Sequence, residues 1–429
     1  MKPIPIPAQL FVTNRARLTQ LLPPRSVAIF NANDIMPTNA DGSMGHLQNA
    51  DLFYLTGVHQ EETILLLAPN AFDPNHREVL FVRETSELLN IWEGHKLTKE
   101  QAAAVSGVKT VKLLSDFPII FRTLMCEMEN VYLNTNEHQR AATDVETRND
   151  RFIRECQRKF PLHHYHRVAP LMYALRMVKS EHEVAAIQAA CDLTAKGFKR
   201  VCRFVKPGVN EAEVEAEFAH EFIRAKGAFA YGPIIASGAN NNILHYGQND
   251  QVCKKGELLL LDVAAGLGNY MSDLTRTIPV SGRFTRRQKQ VYNAVLRVFR
   301  QMSKAMVPGK TMKDLKTECE QITAEECVKL GLLKPSAIKK QAPDNPAVKP
   351  WFMHGVSHPI GLDVHDVGYQ HFKIEPGWVI TCEPAIYIKE EGFGVRLENT
   401  VLITDAGQTD LMSKIPIEAE EIEDLMHCR

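Results

Sequence analysis

Four acids carried on two strand-turn-strand segments constrain this chain more than any other feature of it. Gly256-Glu-Leu-Leu-Leu-Leu-Asp262 is a short apolar run ending on a carboxylate, followed by Gly266-Leu-Gly-Asn269 and the returning run Tyr270 to Thr277. That pattern reads as a strand, a tight turn and a second strand. Opposed residues of a bulge-free hairpin share a constant index sum, and Gly266 with Asn269 gives the same sum, 535, as Asp262 with Asp273. Nearer the C-terminus, Trp378 to Glu383 leads through Ala385 to Lys389 into a turn at Glu390-Glu391, and Gly394 to Glu398 returns. There the turn centre and the pair Glu383 with Glu398 share the sum 781. Side chains opposed on one face lie about 4.5–5.5 Å apart at Cβ, so each hairpin is expected to present a facing acidic pair. Four carboxylates in one place repel, and burying them without compensating charge is prohibitive. Such a cluster implies bound cations, and two divalent ions would offset the four formal charges.

A nitrogen donor is available in Phe352 to Asp366, which presents His354, His358 and His365 among glycines and a proline. A lone histidine is ordinarily a polar core or surface residue, whereas three in one irregular stretch fit the wall of a site. Oxygen-rich ligands with one imidazole suit Mn²⁺, with Co²⁺ or Zn²⁺ as alternatives, better than copper or iron–sulfur chemistry. By contrast, the consecutive histidines His163, His164 and His166 cannot easily converge on one ion and read as a boundary loop.

At 429 residues the chain is too long for one typical core. Residues 1–172 read as a mixed α/β unit in which β-rich runs (Ser26 to Phe30, Thr63 to Leu67, Val131 to Leu133) alternate with helix-like stretches. Residues 173–429 read differently, opening with the capping box Ser180-x-x-Glu183 and a long amphipathic helix. Helix, Pro-Gly and capped helix then occur twice, around Pro207-Gly208 with Asn210 and around Pro308-Gly309 with Thr311. The second domain is therefore expected to consist of two similar halves.

A formal net charge of −1 with scattered Lys and Arg excludes the electrostatic footprint of a nucleic-acid or membrane-surface binder. The basic run Arg283 to Lys289 contains the capping box Thr285-x-x-Gln288 and reads as a solvated helix face. Three prolines within the first seven residues argue against a secretory signal, and no apolar run is long enough to span a bilayer. Nine dispersed cysteines without a Cys-x-x-Cys pair read as reduced thiols, which points to the cytoplasm.

These residues identify a resemblance. Ile243-Leu-His-Tyr246, Leu261-Asp262, Asp273-x-Thr-Arg-Thr277, His354-Gly-x-Ser-His358, Gly361-Leu-Asp-Val-His-Asp-Val-Gly368, Cys382-Glu-Pro384 and Val395-Arg-Leu-Glu398 together resemble the pita-bread metallopeptidases. Within that family the chain looks most like the Xaa-Pro aminopeptidases. The resemblance implies a C-terminal pita-bread catalytic domain behind a smaller mixed α/β N-terminal domain, an α/β (α+β) protein. It implies that Asp262 binds one ion, that His358 and Glu383 bind the other, and that Asp273 and Glu398 bridge the two. Glu383 would also shuttle a proton, with His354 and His365 acting on the substrate and the developing oxyanion. His245, Arg396 and Tyr231 match positions around the substrate. Asn90-Ile-Trp-Glu-Gly94 puts Trp92, and Gly42's neighbour Asp41 likewise, at positions through which a neighbouring subunit reaches the active site, so a homodimer or homotetramer is expected. The implied reaction is removal of the first residue from peptides with proline second, by a hydroxide shared between two ions. The alternatives are a prolidase, a methionine aminopeptidase, for which the long N-terminal domain would be superfluous, and an inactive peptide-binding member of the fold. One departure is His46-Leu47, where the family often has Tyr-Arg.

Overall fold

A computed structural model describes residues 6–141, 144–342 and 345–427. The chain divides into two compact units at the Arg176–Met177 bond. The boundary expected after residue 172 falls inside the helix Ala169–Met177, whose Arg176 is buried and pairs with Asp51 at 2.8 Å. That ion pair ties the helix to the N-terminal unit.

The N-terminal unit is built on a six-stranded sheet of order β4-β3-β2-β1-β5-β6, with β1 Ser26–Asn31, β2 Ile64–Leu67, β3 Glu78–Val82, β4 Thr110–Leu113, β5 Asn130–Leu133 and β6 His164–Arg167. Only β2 runs against the rest. Its helices are α1 (Ala8–Leu21), α2 (Ala50–Thr56), α3 (Glu87–Glu93), α4 (Lys99–Ser106), α5 (Phe117–Glu127), α6 (Arg148–Lys159) and α7 (Ala169–Met177). The three β-rich runs read from the sequence are β1, β2 and β5. The histidine run is not a loop: His164–Arg167 pairs with β5 as the edge strand β6. Almost every residue of β6 faces solvent, so it carries none of the apolar alternation by which a strand is recognised. Val27 and Ile29 of β1 pack with Phe121, Leu124 and Met125 of α5 and Cys156 of α6 in the main core of this unit.

The C-terminal unit alternates long helices with short strands. Helices α8 (Glu181–Phe204) and α9 (Glu211–Arg224) precede β7 (Ala228–Phe229), β8 (Ile234–Ser237), β9 (Leu258–Asp262), β10 (Ala265–Leu267), β11 (Tyr270–Met271) and β12 (Thr275–Pro279). Helices α10 (Arg286–Ala305), α11 (Met312–Lys329) and the short α12 (Pro335–Lys340) precede β13 (Val379–Cys382), β14 (Ala385–Ile388), β15 (Phe393–Arg396), β16 (Asn399–Thr404) and β17 (Gly407–Asp410), and α13 (Ala419–His427) closes the unit. Reciprocal capping boxes start α8, α9, α10 and α11, at Ser180/Glu183, Asn210/Glu213, Thr285/Gln288 and Thr311/Asp314. Gly208 and Gly309, which precede the second capped helix of each half, share left-handed φ values of 95° and 90°. The repeat seen in the sequence is thus a repeat of backbone conformation, since only glycine adopts that region without strain. Among the described residues no helix is long and apolar enough to cross a membrane.

Candidate metal centre

Strand β9 lies between β8 and β12 and delivers Asp262 at its end. The turn beyond it is Gly268-Asn269, both at positive φ (58° and 69°), with Leu267 opposite Tyr270. It is centred one residue later than expected, so Asp262 opposes Thr275 rather than Asp273. The partner has moved by two residues, which preserves the face. Asp273 therefore remains beside Asp262 as a diagonal neighbour. In the second hairpin Ala385 opposes Arg396 and Cys382 opposes Asn399, the register expected for Glu383 facing Glu398. The hairpins are stitched together where Glu398 N donates to Thr275 O at 3.0 Å. Arg276, fully buried, donates to the Glu398 carbonyl (2.7 Å) and to Asn399 Oδ1 (2.7 Å) and fixes this crossing.

Against these acids lies the irregular segment carrying His358. Thr381 N donates to His358 O and Glu383 N to Val356 O, both at 2.9 Å, so β13 and its extension hold the segment by its backbone. His358 Nδ1 sits 2.9 Å from the Pro359 carbonyl, which can only accept, so the ring proton is on Nδ1. Nε2 faces Asp273 Oδ2 at 3.4 Å and Glu383 Oε1 at 3.7 Å. Ligand atoms of Asp273, His358 and Glu398 all lie within 4.8 Å of one another.

Burial, reinforced by neighbouring carboxylates, pushes Asp273, Glu383 and Glu398 well above the ordinary carboxylate range; the main neighbours are Asp262 for Asp273, Glu398 for Glu383, and Asp273 for Glu398. The Tyr231 hydroxyl approaches Asp262 Oδ1 at 2.6 Å and Asp273 Oδ1 at 2.7 Å, yet it has one proton to give. Four converging acids, two of them sharing one proton, carry more negative charge than the single Arg396 guanidinium, 2.6 Å from Asp262, offsets. The donor set of oxygens and one nitrogen fits hard or borderline divalent cations.

Around this centre runs a relay of hydrogen bonds. Arg396 Nη2 binds Asp262 Oδ2 (2.6 Å), its Nε reaches Thr275 Oγ1 (3.1 Å) and its Nη1 donates to Tyr387 Oη (2.7 Å). Tyr387 is left to donate to His354 Nε2 at 3.0 Å, while His354 Nδ1 donates to Gly355 O at 2.7 Å. Burial and then the Arg396 charge lower the His354 pKa to about 3, so this imidazole stays neutral. Thr275 Oγ1 donates in turn to Glu398 Oε2 at 2.7 Å.

The structure thus brings together Asp262, Asp273, His358, Glu383, Glu398, Tyr231, His354 and Arg396. His365 stands edge-on to His358, ring centres 4.3 Å apart, and His245 is exposed but close enough to act electrostatically on His354. Tyr231 and Arg396 direct their polar atoms at Asp262, Asp273, Thr275 and Tyr387. Asp41 and Trp92 lie in the N-terminal unit, both exposed. Sequence reasoning missed Tyr387 and the threonines Thr275 and Thr381. Thr275 was recoverable, standing two residues after Asp273 on the same strand face. Tyr387 was not, because its partners come from distant segments.

A C-terminal unit of paired halves with a buried cluster of acids and histidine, following an α/β N-terminal unit in the sequence, defines a pita-bread metallopeptidase. Residues 185–405 match the model of metallopeptidase family M24 and residues 11–132 that of the aminopeptidase P N-terminal domain. The chain belongs to metallopeptidase family M24. It is 32% identical to the Xaa-Pro aminopeptidase of Escherichia coli (strain K12) over 98% of both chains, and 30% identical to human Xaa-Pro aminopeptidase 3 over 88% of this chain and 76% of that one. Among solved structures, Pseudomonas aeruginosa aminopeptidase PepP superposes with a TM-score of 0.89 at 30% identity, covering 100% of this chain and 99% of its own. Zn-substituted E. coli aminopeptidase P in complex with product gives 0.88 at 31%, covering 99% of each.

Proposed function

We propose that this chain is a Xaa-Pro aminopeptidase that releases the N-terminal residue from peptides with proline in the second position, using two divalent cations. The observation that carries this reading is the convergence of Asp262, Asp273, Glu383 and Glu398 around His358 Nε2. Similarity over the full length of Xaa-Pro aminopeptidases, N-terminal domain included, favours an aminopeptidase over a prolidase.

Asp262 would hold one ion, His358 and Glu383 the other, and Asp273 and Glu398 would contribute to both; Mn²⁺ is the expected ion, with Co²⁺ or Zn²⁺ as alternatives. Divalent charge bound there supplies Lewis acidity toward a peptide carbonyl and lowers the pKa of water toward neutrality. Tyr231 and Arg396 orient Asp262 and Asp273 by hydrogen bonds. Glu383 would take up the proton released by the attacking water and deliver it to the departing amine. His365 stabilises negative charge at the scissile carbonyl oxygen. Both nitrogens of His354 are engaged, so it offers the residue after the scissile bond a neutral wall rather than a charge, and His245 lines the same side.

We also assign a homodimer or homotetramer and a cytoplasmic location. None of the seven residues of α3 is buried, and Leu88, Ile91 and Trp92 are 65%, 78% and 81% exposed. An apolar helix face left open in this way suits a second copy of the chain, to whose active site Trp92 and Asp41 would contribute. The deciding experiment is a substrate panel with Mn²⁺-loaded protein. Release of the first residue from Xaa-Pro-Xaa tripeptides is expected; cleavage of Xaa-Pro dipeptides alone would establish a prolidase, and no turnover with no metal bound would establish an inactive peptide-binding protein.

A further inference from the structure

The N-terminal unit contains a cavity of about 1110 Å³ that none of the chemistry above uses. It opens where Asn31 ends β1 and Leu114 follows β4, with Glu61 and Glu62 entering the reversed strand β2 at the same end. In open α/β sheets the crevice outside the carboxyl ends of parallel strands is where ligands bind, because loops diverge there and leave backbone and side-chain groups unpaired. The volume lies just above the roughly 300–1,000 Å³ range of small-molecule sites.

One wall is aromatic. Phe117 stacks on Phe121 with ring centres 5.2 Å apart, and Phe152 and Phe160 lean on Phe121 at 5.6 and 5.8 Å. The remaining lining carries both signs of charge. Arg151 pairs with Asp34 and Lys159 with Glu155, each at 2.5 Å. Glu61 is held by Lys96 at 2.5 Å and Arg83 at 3.1 Å, and Glu62 lies 3.4 Å from Arg83. Arg122 and the half-buried Arg148 remain, their guanidinium groups without a hydrogen bond or ion pair among the described residues. Asn31, on the cavity lining, is 2% exposed; its Nδ2 donates to Asn149 Oδ1 at 3.0 Å, but its Oδ1 accepts from no donor among the described residues. A buried acceptor without a donor is costly, on the order of 1–3 kcal/mol, and marks a place where a ligand donor would be retained.

We propose that this cavity binds a small zwitterion with an apolar side chain. Its carboxylate sits on Arg148, its ammonium group donates to Asn31 Oδ1 beside Glu62, and its side chain lies on the Phe117, Phe121 and Phe152 rings. Four acids on the lining disfavour a polyanion such as a nucleotide, and four cations disfavour a simple amine. Free apolar amino acids and apolar dipeptides both have this chemistry, and both occur wherever peptides are degraded, so the cavity would let the N-terminal unit sense peptide breakdown.

The test is isothermal titration of the full metal-loaded chain with L-phenylalanine and with L-phenylalanyl-L-phenylalanine, in wild type and in Arg148→Gln. A saturable one-to-one isotherm with at least one of the two, millimolar or tighter, is expected, and which one binds identifies the source. Arg148→Gln should weaken it at least tenfold. N-acetyl-L-phenylalanine and L-phenylalaninamide, which each remove one charge from the ligand and leave the protein unaltered, should lose at least tenfold as well. No saturable binding of either zwitterion, equal affinity in Arg148→Gln, or undiminished binding of both capped forms overturns the proposal.

Discussion

Lys179 and Asp366 form an ion pair at 3.0 Å whose side chains are 1% and 0% exposed, and the pair decides how firmly the His358 segment is held. Asp366 follows His365 directly, its N donates to Pro359 O at 2.9 Å, and Gly361 leaves the space its carboxylate occupies: a Cβ there would come within 2.2 Å of Asp366 Oδ2. Lys179→Met removes the charge while keeping most of the volume and takes the ammonium group away from the buried carboxylate. Breaking one side of a buried pair costs about 3–5 kcal/mol. For a unit of this size each kcal/mol moves the midpoint by about 2–4 °C, so thermal unfolding should shift downward by about 6–20 °C. The double variant Lys179→Met/Asp366→Leu should recover most of that loss, because both members of the buried pair are then apolar. A pH dependence follows from Glu183, whose carboxyl burial pushes up while Lys179 opposes the rise. Without Lys179 it rises further, and a buried acid with a raised pKa costs stability as pH climbs above its unfolded value. The deficit should therefore be smaller at pH 5 than at pH 8. Differential scanning calorimetry at both pH values measures this, and a shift below about 2 °C in the single variant would refute the assigned role of the pair.

Asp273→Ala should lower turnover on a Xaa-Pro-Xaa peptide by on the order of 10³ or more, while the metal-free protein melts no lower than wild type, since one repelling carboxylate is gone; steady-state kinetics and calorimetry check both halves. Tyr387→Phe leaves Arg396 Nη1 and His354 Nε2 unpartnered, so a loss of about 1–3 kcal/mol in urea unfolding is expected together with a reduced kcat. Among the described cysteines only Cys126 is exposed, and burial pushes Cys156, Cys253, Cys319 and Cys327 up to about 12. A thiol-exchange reagent at pH 8 followed by peptide mapping should label Cys126 rapidly and those four only on unfolding; Cys428 lies outside the described residues.

What the sequence made legible follows from where the information is local. Ser180/Glu183 and the three other capping boxes are decided within four residues, and each starts the helix it announces. Glu383 and Glu398 could be paired because a four-residue turn between short, uninterrupted strands leaves one register. Asp262 and Asp273 were paired two residues out of step because Gly266-Leu-Gly-Asn269 offers more than one turn centre, and the positive φ of Asn269 selects the later one. The face survived the slip, so the acids were still gathered correctly. The relay through Arg396, Tyr387 and His354 was out of reach, since it depends on side chains from separate segments meeting in three dimensions. The edge strand His164–Arg167 was hidden for the opposite reason: it buries too little to leave a pattern.

Every role assigned to the catalytic unit rests on cations lying among Asp262, Asp273, His358, Glu383 and Glu398. Anomalous diffraction from crystals of the Mn²⁺-loaded chain, collected at the manganese edge, locates them directly. Two peaks enclosed by those five side chains are expected. No peak there, or manganese found only at other side chains, would contradict the assignment.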